Sequence, residues 1–214
     1  MHLAEGVISS PAVLGAGWVL ACGGVALGLR RMDETQAMRA AVMSSSFFVA
    51  SLVHIPVFGV SIHLALTGIL GIVLGWAAFP AVFVALILQA VLFGFGGLTT
   101  LGLNTCIMAL PAVAVFLVFR SLRMPMAAPA LPAICGLLGA AAIVLAALLL
   151  ALILSTAGDA FRVLAASALA AQIPVAVLEG VVTAAAAGFL RKVSPELLAG
   201  AAMGESKPIN ELEV

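Results

Sequence analysis

The chain has 214 residues, 64% of them hydrophobic and 8% charged, with a formal net charge of zero and a mean hydropathy of +1.31. A soluble domain carries about 25% charged residues, so the composition excludes one and calls for a polytopic membrane protein. The zero net charge argues against nucleic acid as a partner.

A membrane span takes about 20 apolar residues, which leaves room for six or seven spans. Tyr is absent, aromatics are few, and Ala, Gly and Leu abound, a mixture suited to close helix packing in lipid. Cys22, Cys106 and Cys135 are scattered with no CxxC pair, so they read as small core residues.

Residues 1–10 form a polar lead. No cleavable leader is expected, because the lead has no basic stretch and the apolar run starts only after Pro11. Its opening, Met1-His2-Leu3-Ala4-Glu5-Gly6, offers half of a metal site. The free amine of Met1, the backbone nitrogen of His2 and the imidazole of His2 can close a five-membered and then a six-membered chelate ring. One equatorial position stays open on a square-planar or tetragonal centre, the geometry that nitrogen ligands give Ni(II) or Cu(II). Met1 must persist for this, and a bulky second residue favours its retention. The plain alternative is an ordinary terminus with an incidental histidine. The only other histidines, His54 and His63, share one short segment.

Span 1 is expected over Pro11–Leu29, with Pro in the first turn where no backbone donor is lost. It carries small-residue pairs at four-residue spacing, Gly17/Ala21 and Gly24/Gly28. Such ridges let a helix approach closely, either within this chain or on a partner. A charged loop from Arg30 to Arg39 leads to span 2, Ala40–Val53. In the segment His54–His63, Pro56 and Gly59 break any helix. Span 3 covers Leu64–Ala78, with a turn at Phe79-Pro80, and span 4 covers Ala81–Phe93. A Gly-rich irregular stretch, Gly94–Asn104, precedes span 5, Thr105–Phe119. After Arg120 and Arg123 comes span 6, Pro132–Leu154, then a polar loop 155–160. Span 7, Arg162–Leu190, is interrupted by Pro174. Residues 1–192 read as one membrane domain and 193–214 as a cytoplasmic polar tail.

With the N-terminus outside and seven spans, the inner side holds Arg30, Arg31, Arg39, Arg120, Arg123, Arg191, Lys192 and Lys207, against Arg162 outside. That asymmetry is the positive-inside pattern. The same assignment brings His2, His54–His63 and Gly94–Asn104 to the outer face with no appeal to a metal.

His63, between Ser61 and an apolar span, is the better candidate to complete the site. His54 sits at the end of span 2 before a Pro-containing stretch, where capping serves equally well. Ser61, Thr99, Thr100 and Asn104 are candidates to orient the loops and the imidazole, although ordinary turn chemistry explains them too. Gln172 and Glu179 lie seven apart, two turns along one helix face. A carboxylate inside a span is by default functional, but a structural, hydrogen-bonded role is favoured here, because Glu179 falls toward the inner half, away from the histidines. No GxxxxGK[ST], HExxH or GxSxG is present, so neither ATP-driven pumping by the chain itself nor enzyme chemistry has a visible carrier. Paired broken helices of an inverted repeat are also missing.

Four motifs in order carry a resemblance over about residues 1–192. They are Met1-His2…Glu5-Gly6, Ser61-x-His63, Gly96-Gly97-Leu98-Thr99-Thr100-Leu101-Gly102-x-Asn104, and Gln172-Ile173-Pro174-Val175-Ala176-x-x-Glu179-Gly180. Together they resemble the CbiM/NikM family, the substrate-binding (S) components of energy-coupling factor (ECF) transporters for cobalt or nickel. The resemblance implies an all-α membrane protein with seven transmembrane helices, the S-component bundle with an extra N-terminal helix. It implies that the Met1 amine, the nitrogen and imidazole of His2, and the imidazole of His63 bind the ion, while the loop containing Asn104 closes over it. It also implies a transmembrane coupling protein, a cytoplasmic ATPase and a small accessory membrane subunit as partners, in a bacterial inner membrane, with the S component toppling during transport. Span 1's small-residue ridge then becomes a candidate docking surface. Glu5-Gly6 looks more like the cobalt members, so Co(II) for cobalamin synthesis is favoured over Ni(II) as the transported substrate. The competing classes are a stand-alone carrier or channel and a membrane enzyme using Glu179, His54 or His63.

Overall fold

In the computed structural model, which describes residues 2–52, 54–57 and 60–198, the chain is nearly all helical. The elements are α1 (Pro11–Arg30), α2 (Glu34–Leu52), β1 (His54–Val57), β2 (Val60–His63), α3 (Thr67–Leu74), a 3-10 turn (Gly75–Ala77), α4 (Ala78–Phe93), α5 (Leu101–Leu122), α6 (Leu131–Ser155) and α7 (Asp159–Val193). Most of the expected tail, 199–214, lies outside the described residues.

Local chemistry sets the helix ends. Pro11 opens α1 and a proline again stands in the first turn of α6, where the missing N–H costs nothing. Asp33 caps α2, its Oδ1 accepting the Gln36 N–H at 2.6 Å. Gly94, in the left-handed region at φ 66°, closes α4, with Phe95 N–H reaching back to the Gln89 carbonyl.

Among the described residues, five helical stretches are long and apolar enough to cross a membrane: Pro11–Arg30, Thr67–Phe93, Leu101–Leu122, Leu131–Ser155 and Ala165–Val193. The second is not one straight rod. As a single helix of 27 residues it would run about 40 Å. Yet His63, just before α3, stacks on His2, and Gly96, just after α4, faces His2 and Leu3. Both ends therefore meet the same N-terminal segment, and the chain folds back between them. The reversal occurs at Gly75, φ 56°, against the ring of Phe116.

Several expectations are corrected here. The turn lies at Gly75–Ala77, not at Phe79-Pro80. Pro80 occupies the first turn of α4, where it needs no donor. The segment after α2 forms an antiparallel hairpin with His54 paired to His63 and Pro56 to Ser61, so the fold is not purely α. Helix α5 starts at Leu101, which places Asn104 on a helix rather than in a loop. Helix α7 continues through Pro174.

The small-residue ridge of α1 is used within the chain. Gly17 faces Leu103, Gly24 faces the Phe79 ring, and Gly28 faces Pro80 and the Trp76 carbonyl. A side chain at any of these positions would collide with α4, α5 or the 3-10 turn. Helices α6 and α7 pack on the same principle, Gly136 against Gly180 and Gly139 against Thr183. Helix α3 is wedged between α5, α6 and α7, and α2 leans on α4, where Ser44 Oγ donates to the Ala81 carbonyl at 2.8 Å. The periphery is apolar: Val19, Leu137 and Val91 are 73%, 70% and 68% exposed, as lipid-facing positions are.

Candidate metal site at the N-terminal strap

Residues 2–10 run as a strap across the end of the bundle where α4 meets α5. Leu3 and Ile8 pin it, each buried in the main apolar core. Between them the backbone of Leu3 is clamped by polar side chains from the start of α5. Leu3 N–H donates to Asn104 Oδ1 at 2.8 Å, and Asn104 Nδ2 donates back to the Leu3 carbonyl at 3.1 Å. Thr100 Oγ1 lies 2.9 Å from the same carbonyl and also accepts from Asn104 Nδ2. Asn104 thus serves Leu3 as a neighbouring β-strand would, pairing both backbone groups at once. Buried backbone groups demand such partners. Asn104 and Thr100 are themselves 2% and 0% exposed.

A second fastening is more open to solvent. Glu5 reaches the loop before α5, accepting from the Thr99 hydroxyl and, at 3.4 Å, from the Thr99 N–H. Trp18 of α1 donates its indole N–H to the Thr99 carbonyl at 3.2 Å, which ties that loop to α1. Gly97 gives Glu5 its room, because a Cβ there would overlap the carboxylate.

The clamp sets His2, one residue upstream, against His63. The two rings stack with centroids 4.9 Å apart and planes 17° from parallel. His63 is buried, 3% exposed, and its Nδ1 lies 3.2 Å from the Leu64 carbonyl. A carbonyl only accepts, so Nδ1 carries the hydrogen in this contact, which in the neutral ring leaves the lone pair on Nε2.

Met1 lies outside the described residues. The strand register puts His54 opposite His63 and Ser61 opposite Pro56; their side chains are likewise outside the described set. Of the remaining candidates, His2, His63, Thr99, Thr100 and Asn104 converge on the strap. Asn104 and Thr100 hold the Leu3 backbone of the strap. Among the described residues no cluster of three or more His, Cys, Asp or Glu side chains forms.

Sequence reasoning misjudged one residue. Glu179 is not remote from the histidines. Its carboxylate accepts N–H groups from Ala65 at 3.3 Å, Leu66 at 3.0 Å and Gly68 at 3.3 Å. It caps the start of α3 immediately after His63, a place favourable to negative charge. No spacing signal could have revealed a contact between residues 114 positions apart. Glu5 was quoted as part of a motif, but its seat on Thr99 was not foreseen.

The bundle and the strap form a multi-helix membrane-protein fold that solved structures share. Two solved chains, both described as transition metal transporters, superpose with TM-scores of 0.75 and 0.71. The first covers 96% of this chain and 100% of its own, at 20% identity. The second covers 92% and 99%, at 22% identity. Residues 2–197 match CbiM, the cobalt uptake substrate-specific transmembrane region, and the chain belongs to that family. A Haemophilus influenzae protein whose description refers to metal transport is 39% identical over 92% of this chain and 97% of its own length. The cobalt transport protein CbiM of Sorangium cellulosum is 33% identical over 92% and 94%. A fused nickel transport protein of Rhodobacter capsulatus is 42% identical over 35% of this chain and 22% of its own length.

Proposed function

We propose that the chain is the metal-capturing membrane subunit of an ATP-driven importer of the energy-coupling factor type, with Co(II) as its cargo. The observation that carries this reading is the stacked pair of His2 and His63 with Leu3 clamped beside it. The amine of Met1, the nitrogen and imidazole of His2 and Nε2 of His63 would complete a four-nitrogen plane. Such a set binds late first-row divalent ions.

The N-terminus faces outward and seven segments cross the membrane, α3 being the short one. The positive charges of the α1–α2 and α5–α6 connections support this sidedness. The unit is one domain over 1–192 with a cytoplasmic tail, in a bacterial inner membrane. It acts with a coupling protein, an ATPase and a small accessory subunit, and it supplies cobalamin synthesis. A second reading takes Ni(II) as cargo. It is favoured by the match to the nickel transport protein and by the planar geometry, which suits Ni(II) well.

The test is calorimetry of the purified protein with Co(II) and Ni(II), beside His63→Ala and a variant with one residue added before Met1. A large fall in affinity is expected in both variants. Native-like binding by the extended variant would remove the terminal amine from the ligand set and overturn the site. Metal uptake into vesicles by the chain alone, without ATPase, would favour a stand-alone carrier instead.

A further inference from the structure

Glu179 is fully buried in the middle of α7, where an ionisable side chain is costly and by default serves a purpose. Its partners are backbone N–H groups on either side of one unusual residue. Leu66 adopts φ 50°, a left-handed conformation that Leu holds only when its surroundings impose it. The carboxylate grips Ala65 and Leu66 on one side and Gly68 on the other.

A single peptide group links this grip to the histidine. The carbonyl of Leu64 accepts from His63 Nδ1–H. The N–H of the same peptide belongs to Ala65 and donates to Glu179 Oε2. The sequence of contacts is therefore imidazole N–H to carbonyl, then amide N–H to carboxylate. Hydrogen bonds in such a chain polarise one another. Histidine ligands are commonly oriented by a carboxylate or carbonyl on the far ring nitrogen; here the two are joined in series through the Leu64–Ala65 peptide.

We propose that Glu179 is the positioning residue for His63, fixing the tautomer and orientation of that imidazole through the Leu64–Ala65 peptide and so completing the fourth ligand position. This rests on the reading of His63 as a ligand.

The experiment uses the purified full-length protein with Cu(II) as a spectroscopic probe and Co(II) for calorimetry. The variants are Glu179→Gln, His63→Ala and the double substitution. Glu179→Gln should weaken Co(II) binding about ten- to hundredfold. Its Cu(II) resonance spectrum should lose one of four nitrogen couplings, as that of His63→Ala does. The double variant should bind no more weakly than His63→Ala alone. If Glu179→Gln keeps the four-nitrogen signature, or its loss multiplies with that of His63→Ala, the role is merely structural and the proposal falls. It also falls if Glu179→Gln binds like the native protein while His63→Ala does not, and then the ligand assignment stands. Native-like binding by His63→Ala would instead remove the ligand assignment and this proposal with it. Should Glu179→Gln not fold, Glu179→Asp takes its place in the same cycle with the same criteria.

Discussion

Replacing Asn104 by Leu removes the clamp on the strap while keeping a side chain of similar size. In the native structure Asn104 makes both a donor and an acceptor contact to Leu3, at 3.1 and 2.8 Å. In the variant the Leu3 carbonyl keeps Thr100 Oγ1, but the buried N–H loses its acceptor. An orphaned buried group costs about 1–3 kcal/mol, and a neutral hydrogen bond contributes about 0.5–1.5 kcal/mol net. The sum spans roughly 1.5–4.5 kcal/mol, centred on about 3 kcal/mol. The strap is terminal and can lift away, so the cost falls on the order of the strap rather than on the bundle. A ligand that needs the ordered strap must then supply the difference. At about 1.4 kcal/mol per tenfold, Co(II) affinity should fall roughly tenfold to a thousandfold, while the melting temperature changes little. Calorimetry and a thermal melt in detergent read both quantities. Affinity within threefold of native would refute the clamp as the element that presents His2.

Two further outcomes are expected. Gly68→Ala places a Cβ against the Gly139 backbone, a rigid neighbour. Overpacking of this kind costs about 1–3 kcal/mol, to be seen as a lower melting temperature whether or not metal is present. Acid should weaken binding, because an amine and two imidazoles must shed protons to ligate. The sign follows from proton competition: each ligand nitrogen holds either a proton or the ion, so affinity falls as pH drops. An affinity flat from pH 8 to 5.5 would exclude all three ligands.

Hydropathy made the nearly all-helical membrane architecture legible in the sequence, since apolar runs mark the helices, and charge grouped His2 with His63, which the structure brings together. The reversal between α3 and α4 was misplaced for a local reason. Pro80 looked like a turn residue, but proline is equally at home in a helix's first turn, and the glycine that does turn the chain, Gly75, is one of several in an apolar run. Leu66 gave no warning of its left-handed backbone. The Glu179 cap and the Asn104 clamp were hidden because each joins residues more than 100 positions apart, beyond any helical or strand period. The small residues of α1 left two partners open, and only packing decided that α4 and α5 occupy them.

That packing has a consequence for how the site opens. With Gly17, Ala21, Gly24 and Gly28 buried along its length, α1 is a fixed post, and the segment 3–10 is a short tether from its top. A tether of a few residues holds its free end at an effective concentration in the millimolar range. If the clamp lets go, His2 therefore stays within reach of His63, and reclosure is an intramolecular step rather than a new encounter. On the proposed ligand set, half of the chelate could detach from the ion without being lost, so that a tightly held cargo could be given up one bond at a time.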